Sequence, residues 1–470
     1  MPTRLIIPLI VAVAFLMEQL DSTIITTAVP AIAKSLQVTP VQMSLAVAAY
    51  VLAVAVFIPV SGWFADRYGA RRIFVAALAL FTLGSMLCGA ASSFPMLVAM
   101  RVVQGLGGAM MTPVGRLILL RSFPRSELMT AMTYMTLPAI MGPVIGPLLG
   151  GIITTYLSWR WIFYVNLPIG LIGIALALRY VENIRDHEQA GFDLPGFLMV
   201  GAGLGLLQFG MDNVSRPVIS LPLIAAAITA AALLLLGFGF YARKAVAPAV
   251  DLTLFRLRSF RVGTLAGGLA RVGLNGMPFL LPLMLQVGFG LSPIASGSIT
   301  FIGSVGAILI RTLLAPVLRL HGFKVALVGS AIAGSLSLAA FALLTPATPH
   351  WVILGCVFVF GLCRSAQFMT SNTLSYADMP QARLSRATSL GGALQQLSVS
   401  LGVSIGAVLL SLVSLHSHTL TPARFHEVFL LSAIIPLLAV PGFLTLHPDD
   451  GAPATGRRII PPSPEGDAQI

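Results

Sequence analysis

Apolar residues run through this chain in long blocks separated by short polar clusters, and fourteen of the blocks are long enough to cross a bilayer. They occupy 6–31, 44–64, 73–92, 95–117, 128–153, 161–180, 194–213, 218–241, 261–286, 292–313, 324–344, 350–372, 387–414 and 425–446. Glycine and proline are frequent inside them, which membrane helices tolerate when neighbouring helices satisfy the freed backbone groups. The pattern predicts an all-α polytopic membrane protein, and an even number of spans puts both termini on one side.

The polar clusters between blocks choose the side. With the N-terminus inside, the cytoplasmic segments hold Arg4; Arg67, Arg71 and Arg72; Arg116, Arg121 and Arg125; Arg179 and Arg185; Arg243, Lys244, Arg256, Arg258 and Arg261; Arg311, Arg319 and Lys324; Arg383 and Arg386; and Arg457 and Arg458. That is 21 basic residues against four outside, Lys34, Arg160, Arg216 and Arg424. Basic residues favour cytoplasmic loops, so both termini are expected in the cytoplasm. The stretch 447–470 is polar and rich in Pro and Gly, and reads as a disordered tail. The first block follows a short basic start, but Glu18 and Asp21 interrupt it and it is too long for a signal peptide, so it reads as a retained first helix.

Composition agrees. Of 470 residues 57% are hydrophobic and 9% charged, with mean hydropathy +0.93, where soluble proteins carry about a quarter charged residues. The net charge of +12 is dispersed in the inter-block clusters, so topology accounts for it and no nucleic-acid partner is implied. Cys88, Cys356 and Cys363 lie within apolar blocks and offer neither a disulfide framework nor metal-ligand spacing. No Ser/His/Asp or Cys/His constellation and no phosphate-binding loop occurs, so the chain does not read as an enzyme, and no metal or cofactor is implied.

Ionised groups deep in a bilayer are costly and are by default functional candidates. Of 16 acidic residues, only Glu18 and Asp21 fall well inside an apolar block, three apart and therefore on one helix face; all seven histidines lie between blocks or at their edges. Three basic residues are also within blocks: Arg101, Arg271 and Arg364. Arg101 lies at a depth similar to that of Asp21, so the carboxylate would exchange a proton if its arginine partner moved away, or the two form a static buried pair. Arg271 is followed at i+4 by Asn275, and Arg364 shares its block with Gln367 and Asn372, while no acid lies deep in the last six blocks. These arginines and amides suggest a cavity for an anionic or strongly polar small molecule, although Arg364 is also near enough to the inner surface to snorkel.

Two stretches carry motifs. GWFADRYGARRIF (62–74) follows the second block and APVLRLHGFKVAL (315–327) follows the tenth; aligned without gaps, Gly69 meets Gly322 and Arg71 meets Lys324. This weak repeat divides the chain into an N-terminal six-helix bundle (1–180), an inserted helix pair with its linkers (181–260), a C-terminal six-helix bundle (261–446) and the tail. In the first loop Gly62 and Gly69 permit a tight turn and close helix approach, and Asp66 lies among Arg67, Arg71 and Arg72, as a charge lock or as a solvated basic turn. In MGPVIGPLLGG (141–151), Gly142, Gly146 and Gly150 recur every fourth residue beside Gly151, a small-residue stripe for close packing, with Pro143 and Pro147 bending the helix.

The loop 62–74 resembles the signature loop of the major facilitator superfamily, LVAMRVVQGLGGA (97–109) its fourth-helix motif with Arg101 as the buried arginine, and MGPVIGPLLGG its antiporter motif. LDSTIITTAVP (20–30) with WRWIFYVNLPIG (159–170) is similar to the fourteen-helix drug:proton antiporter subfamily. The resemblance implies two six-helix bundles plus two inserted central helices, with Asp66 and the loop arginines latching the outward-facing state. It also implies proton-driven export of a small molecule across a bacterial cytoplasmic membrane. The second loop departs from the pattern, with Arg319 where the first has Asp66, so the latch is expected to be asymmetric. The expected partners are protons, a small-molecule substrate and the lipid bilayer, and a monomer is expected. Drugs, organic anions and metal chelates stand as substrate classes; proton-coupled uptake and a non-transporting sensor or scaffold stand as the competing functions.

Overall fold

The computed structural model describes residues 6–123, 125–183, 193–213, 220–245, 250–380, 383–414, 420–447 and 449–451. Every regular element among them is helical, as lipid requires of a backbone that must satisfy its own polar groups. Thirteen helices among the described residues are long and apolar enough to cross a membrane, and Arg125–Tyr156, 32 residues long, completes a series of fourteen. They are α1 (Ile6–Ser35), α2 (Ser44–Tyr68), α3 (Ala70–Gly89), α4 (Phe94–Ser122), α5 (Arg125–Tyr156), α6 (Trp161–Tyr180) and α7 (Leu194–Asn213). There follow α8 (Leu221–Tyr241), α9 (Arg258–Gly288), α10 (293–321), α11 (323–341), α12 (His350–Ala377), α13 (Leu384–Val413) and α14 (Pro422–Leu444). Each expected block has its helix. The ends differ by a few residues because polar side chains at a membrane surface, such as Arg71 and Arg72, stay in the helical turn. Arg4, Arg185, Arg216, Arg457, Arg458 and the tail from 452 lie outside the described residues.

The repeat reappears as backbone geometry. Gly69, between α2 and α3, has φ 97°, and Gly322, between α10 and α11, has φ 76°. Both lie in the left-handed region that a side chain disfavours, so each paired helix turns back with no intervening loop. A Cβ on Gly69 would also stand 2.3 Å from Oδ1 of Asn183, just after α6.

The start of α1 and the end of α14 share one end of the bundle, here the terminal end; the other is the far end. One hydrophobic cluster joins the two halves toward the far end, with Ile24, Val47 and Ile153 from the first half and Leu280, Phe341 and Phe429 from the second. Toward the terminal end the packing separates. Phe15, Phe74 and Leu119 belong to one cluster, while Leu318, Phe323 and Phe443 belong to another. Hydrogen bonds between the halves follow the same division. Gln286 donates to the Thr27 carbonyl (2.9 Å), Ile294 N–H to Thr155 Oγ1 (3.2 Å), Ser304 to the Pro143 carbonyl (2.8 Å) and Ser400 to the Ala48 carbonyl (3.2 Å). All four lie in the far half of their helices. Among the described residues the halves are therefore closed on each other at the far end and separate at the terminal end.

Candidate functional site

The site begins with one carboxylate. Asp21 on α1 is 1% exposed, and side chains from α4 and α6 converge on it. Arg101 Nη1 donates to Asp21 Oδ2 at 2.6 Å, Gln104 Nε2 to Oδ1 at 2.8 Å and Asn166 Nδ2 to Oδ1 at 3.3 Å. Arg101 and Gln104 are three residues apart on α4 and so share the face turned to α1. Arg101 Nη1 also donates to Gln104 Oε1 (2.8 Å) and its Nε to the Ala46 carbonyl on α2 (3.3 Å), and its guanidinium stands 4.2 Å from the centre of the Tyr50 ring. Asn166 is anchored in turn by donating to Ser85 on α3 (3.0 Å), whose hydroxyl donates to the Phe163 carbonyl (2.8 Å). Four helices besides α1, namely α2, α3, α4 and α6, thus orient one acid, directly or through its partners.

Such a pair contributes little net stability, because removing both ions from water offsets most of their attraction. Three buried polar atoms beside it, Tyr50 OH, Arg101 Nη2 and Asn166 Oδ1, have no hydrogen-bond partner among the described residues. Glu18, one turn nearer the terminal end, is also buried and accepts from Thr112 Oγ1 at 2.5 Å. The two carboxylates of α1 therefore hold different partners along α4.

The glycines of α5 set how closely α1 can approach. A Cβ on Gly142, Gly146 or Gly150 would lie 2.7 Å from Gln19 Cβ, 2.1 Å from Thr23 Oγ1 or 2.4 Å from the Ile24 carbonyl, respectively. Gly151 serves a different contact, since its Cβ would meet the Pro293 carbonyl of α10 at 2.6 Å. Across that same seam, the Pro147 carbonyl faces Gly297 and the Pro143 carbonyl accepts from Ser304. The motif thus packs α1 on one face and the opposite half on another.

The signature loop lies at the terminal end. Arg71 Nη1 donates to the Val181 carbonyl (3.4 Å), Arg72 N–H to Asn183 Oδ1 (3.4 Å), and Arg67 stands 5.3 Å from the Trp63 ring. These contacts lie within the first half. Gly69 supplies the expected tight turn, whereas Gly62 has nothing within 4 Å of where a Cβ would sit, so close helix approach is not its role in this state.

In the second half Arg271 is 4% exposed, 5.8 Å from the Phe368 ring, and its Nε has no hydrogen-bond partner. It makes no ion pair among the described residues. Arg364, Asn275 and Asn372 are half-buried. Gln367 is committed elsewhere: it accepts from Ser330 on α11 (2.5 Å) and donates to Ser371 (3.3 Å), so it fastens α11 to α12. Met111, Met277 and Met284 are fully buried among apolar neighbours, as packing residues. Among the described residues no group of His, Cys, Asp or Glu could hold a metal ion.

Gln104, Asn166 and Thr112 were not singled out as site residues by sequence reasoning. Gln104 carried a signal, an amide one helical turn from a buried arginine, and Asn166 lies inside the WRWIFYVNLPIG stretch. Thr112 carried none, since a threonine in an apolar helix satisfies itself through its own backbone.

Two repeated helix bundles closing around buried charges constitute a secondary-transporter fold. The family description Major Facilitator Superfamily matches residues 11–403 and, in an overlapping match, 263–464. The chain belongs to that family. It is 39% identical over 439 residues to a protein of Pectobacterium carotovorum subsp. carotovorum (strain PC1) provisionally named multidrug resistance protein MdtD, covering 93% of this chain and 94% of that one. The protein of the same name from Klebsiella pneumoniae (strain 342) is 38% identical over 448 residues, with 94% of both chains covered. Among solved structures, a D-xylose–proton symporter superposes with TM-score 0.67 at 14% identity, over 95% of this chain and 98% of that one. A bacterial homologue of the lysosomal transporter Spinster, in an inward-facing and unoccupied conformation, does so with TM-score 0.63 at 16% identity, over 94% and 96%.

Proposed function

We propose that this protein is a proton-coupled exporter of small molecules in the bacterial cytoplasmic membrane, working by alternating access with both termini in the cytoplasm. The observation that carries the reading is the Asp21 cage: a fully buried carboxylate held by Arg101, Gln104 and Asn166, with Glu18 as its neighbour. A carboxylate beside a guanidinium favours its charged form, and one that loses that partner in a dry site favours its protonated form. Rocking of the halves that separates Asp21 from Arg101 therefore moves a proton. The relatives' provisional name favours export of drugs, and the arginine distribution favours cytoplasmic termini. On that orientation the terminal-end separation is an inward-facing state.

The substrate site of this reading lies between the halves, with Arg271, Asn275, Arg364 and Asn372 as contacts and Gln367 holding α12 in place. A buried guanidinium with an unmatched Nε and no acid deep in the last six blocks suits a substrate carrying an anionic or strongly polar group. The domain boundaries near 180 and 260 belong to the same reading, as does a monomer, and transport proceeds without catalysis or cofactor. The test is flux by the purified protein in liposomes under an imposed pH gradient, across cationic drugs and organic acids. Gradient-dependent flux in the export direction is expected. No flux for any compound, or flux in the opposite direction, overturns the reading.

A further inference from the structure

We infer that the inserted pair α7–α8 is a diagonal strut across the seam between the halves, and that Gln208 is the positioning residue by which it favours the state closed at the far end. Much of this pair faces outward: Leu221, Leu223, Leu233, Leu236 and Phe240 on α8 are all more than half exposed. The two helices hold each other through glycines. A Cβ on Gly203 would meet Leu235 and one on Gly210 would meet Ile228. Against that apolar background Gln208 is 3% exposed, in the far half of α7.

Its amide is turned to α13. Nε2 donates to Ser404, and Oε1 accepts from Ser400 at 3.0 Å. The single Ser400 hydroxyl proton is shared between Gln208 and the Ala48 carbonyl on α2 at 3.2 Å, the latter being one of the four contacts that join the halves. Near the terminal end α7 turns to the other half. Phe197 packs edge-on against Phe57 of α2 at 5.4 Å, and a Cβ on Gly201 would meet Val56 at 3.1 Å. One helix is thus fastened to the first half at one end and to the second half at the other.

Rocking pivots α2 against α13, so a helix attached diagonally to both cannot follow both. The attachments seen here coexist with far-end closure, and opening the far end must break one of them. A polar side chain at a helix–helix contact in lipid is costly unless satisfied, so apolar residues suffice where a helix only fills space. The satisfied Gln208–Ser400–Ser404 node argues for a set position.

The test measures the halves directly and needs neither substrate nor proton gradient, so its failure is separable from failure of the transport reading. Spin labels at Thr39→Cys and Ala347→Cys, in a chain whose native cysteines are serine, report the far-end distance by pulsed electron resonance in nanodiscs. Gln208→Leu, which keeps the span apolar, is expected to raise the ratio of open to closed far-end populations about three- to tenfold, the range for one or two membrane hydrogen bonds. Ser404→Ala is the milder variant if Gln208→Leu does not fold, expected near threefold, and Phe197→Ala should shift the ratio the same way from the other attachment. A lower melting temperature with unmoved distances in Ser404→Ala and Phe197→Ala would make the pair a passive filler and overturn the inference.

Discussion

At the scale of residues, Asp21 is the position where a change of one atom tells most. Asp21→Asn keeps the size of the side chain and its contacts with Gln104 and Asn166 but removes the charge opposite Arg101. Loss of proton-driven flux is expected, with expression and folding largely retained; full pH-driven transport by the variant would show that the proton is carried elsewhere. Glu18 holds a single hydroxyl partner, Thr112. Glu18→Gln is therefore expected to shift the pH profile of flux while preserving flux itself, and Thr112→Val should move that profile too. An unmoved profile in both would remove Glu18 from the coupling path. The depth of these acids was legible because a charge inside an apolar block stands out in one dimension. Their partners were less so, because Gln104, Asn166 and Thr112 become neighbours of α1 only when helices far apart in the chain are packed.

At the scale of elements, the α5 stripe was legible as periodic glycine, and its two targets were not. Gly142, Gly146 and Gly150 face α1, whereas Gly151 faces α10 of the other half. A period of four says that a face is small without naming what lies against it. Gly150→Ala places a methyl 2.4 Å from the Ile24 carbonyl, where backbone must move. A destabilisation of ~1–3 kcal/mol is expected, read as a lower melting point in detergent, together with faster proton leak into vesicles; an unchanged melting point would show that α1 yields freely. The linker before α9 gives a pH-dependent case. Burial pushes the Asp251 carboxyl up, but hydrogen bonds from Thr253 and the nearby Arg386 outweigh it and hold the group below its ordinary value. A depressed folded value stabilises above the unfolded value of about 4 and is lost as pH falls through the folded value. Hydrogen exchange at 252–256 should therefore be protected from about pH 5 upward and accelerate below about pH 4; acceleration already near pH 6 would contradict the anchor.

At the scale of the whole molecule, the arrangement is one of at least two that the reading requires. The signature loop is docked on the end of α6 while the terminal-end cores are separate. If Asp66 latches the opposite state, Asp66→Asn should raise labelling of cysteines placed along the terminal-end cavity, by a shift of ~1–3 kcal/mol, about five- to 150-fold. Equal labelling under all conditions would show that the loop is no latch. Arg271→Ala addresses the substrate. With the α1 carboxylates occupied by Arg101 and Thr112, an anionic substrate should lose ~1.5–3 kcal/mol of binding, roughly ten- to 150-fold, while the pH profile stays in place. A displaced pH optimum with unchanged anion binding would place Arg271 in the proton path instead.

The sequence by itself determined the fourteen spans and the two deep acids, together with the α2–α3 and α10–α11 junctions, where Gly69 and Gly322 adopt left-handed backbone. These are local properties: hydropathy sets what lipid accepts, and a missing Cβ sets what backbone a turn can take. Only the tertiary structure decided that Gln367 fastens α11 to α12, that Gly62 stands in open space and that, among the described residues, the core joining the halves lies toward the far end. It also placed α7 across their seam. Each of these depends on which faces meet between helices far apart in the chain. In lipid, where every helix is apolar on most sides, hydrophobic patterning does not encode that choice; close contact of small residues and a few buried hydrogen bonds make it.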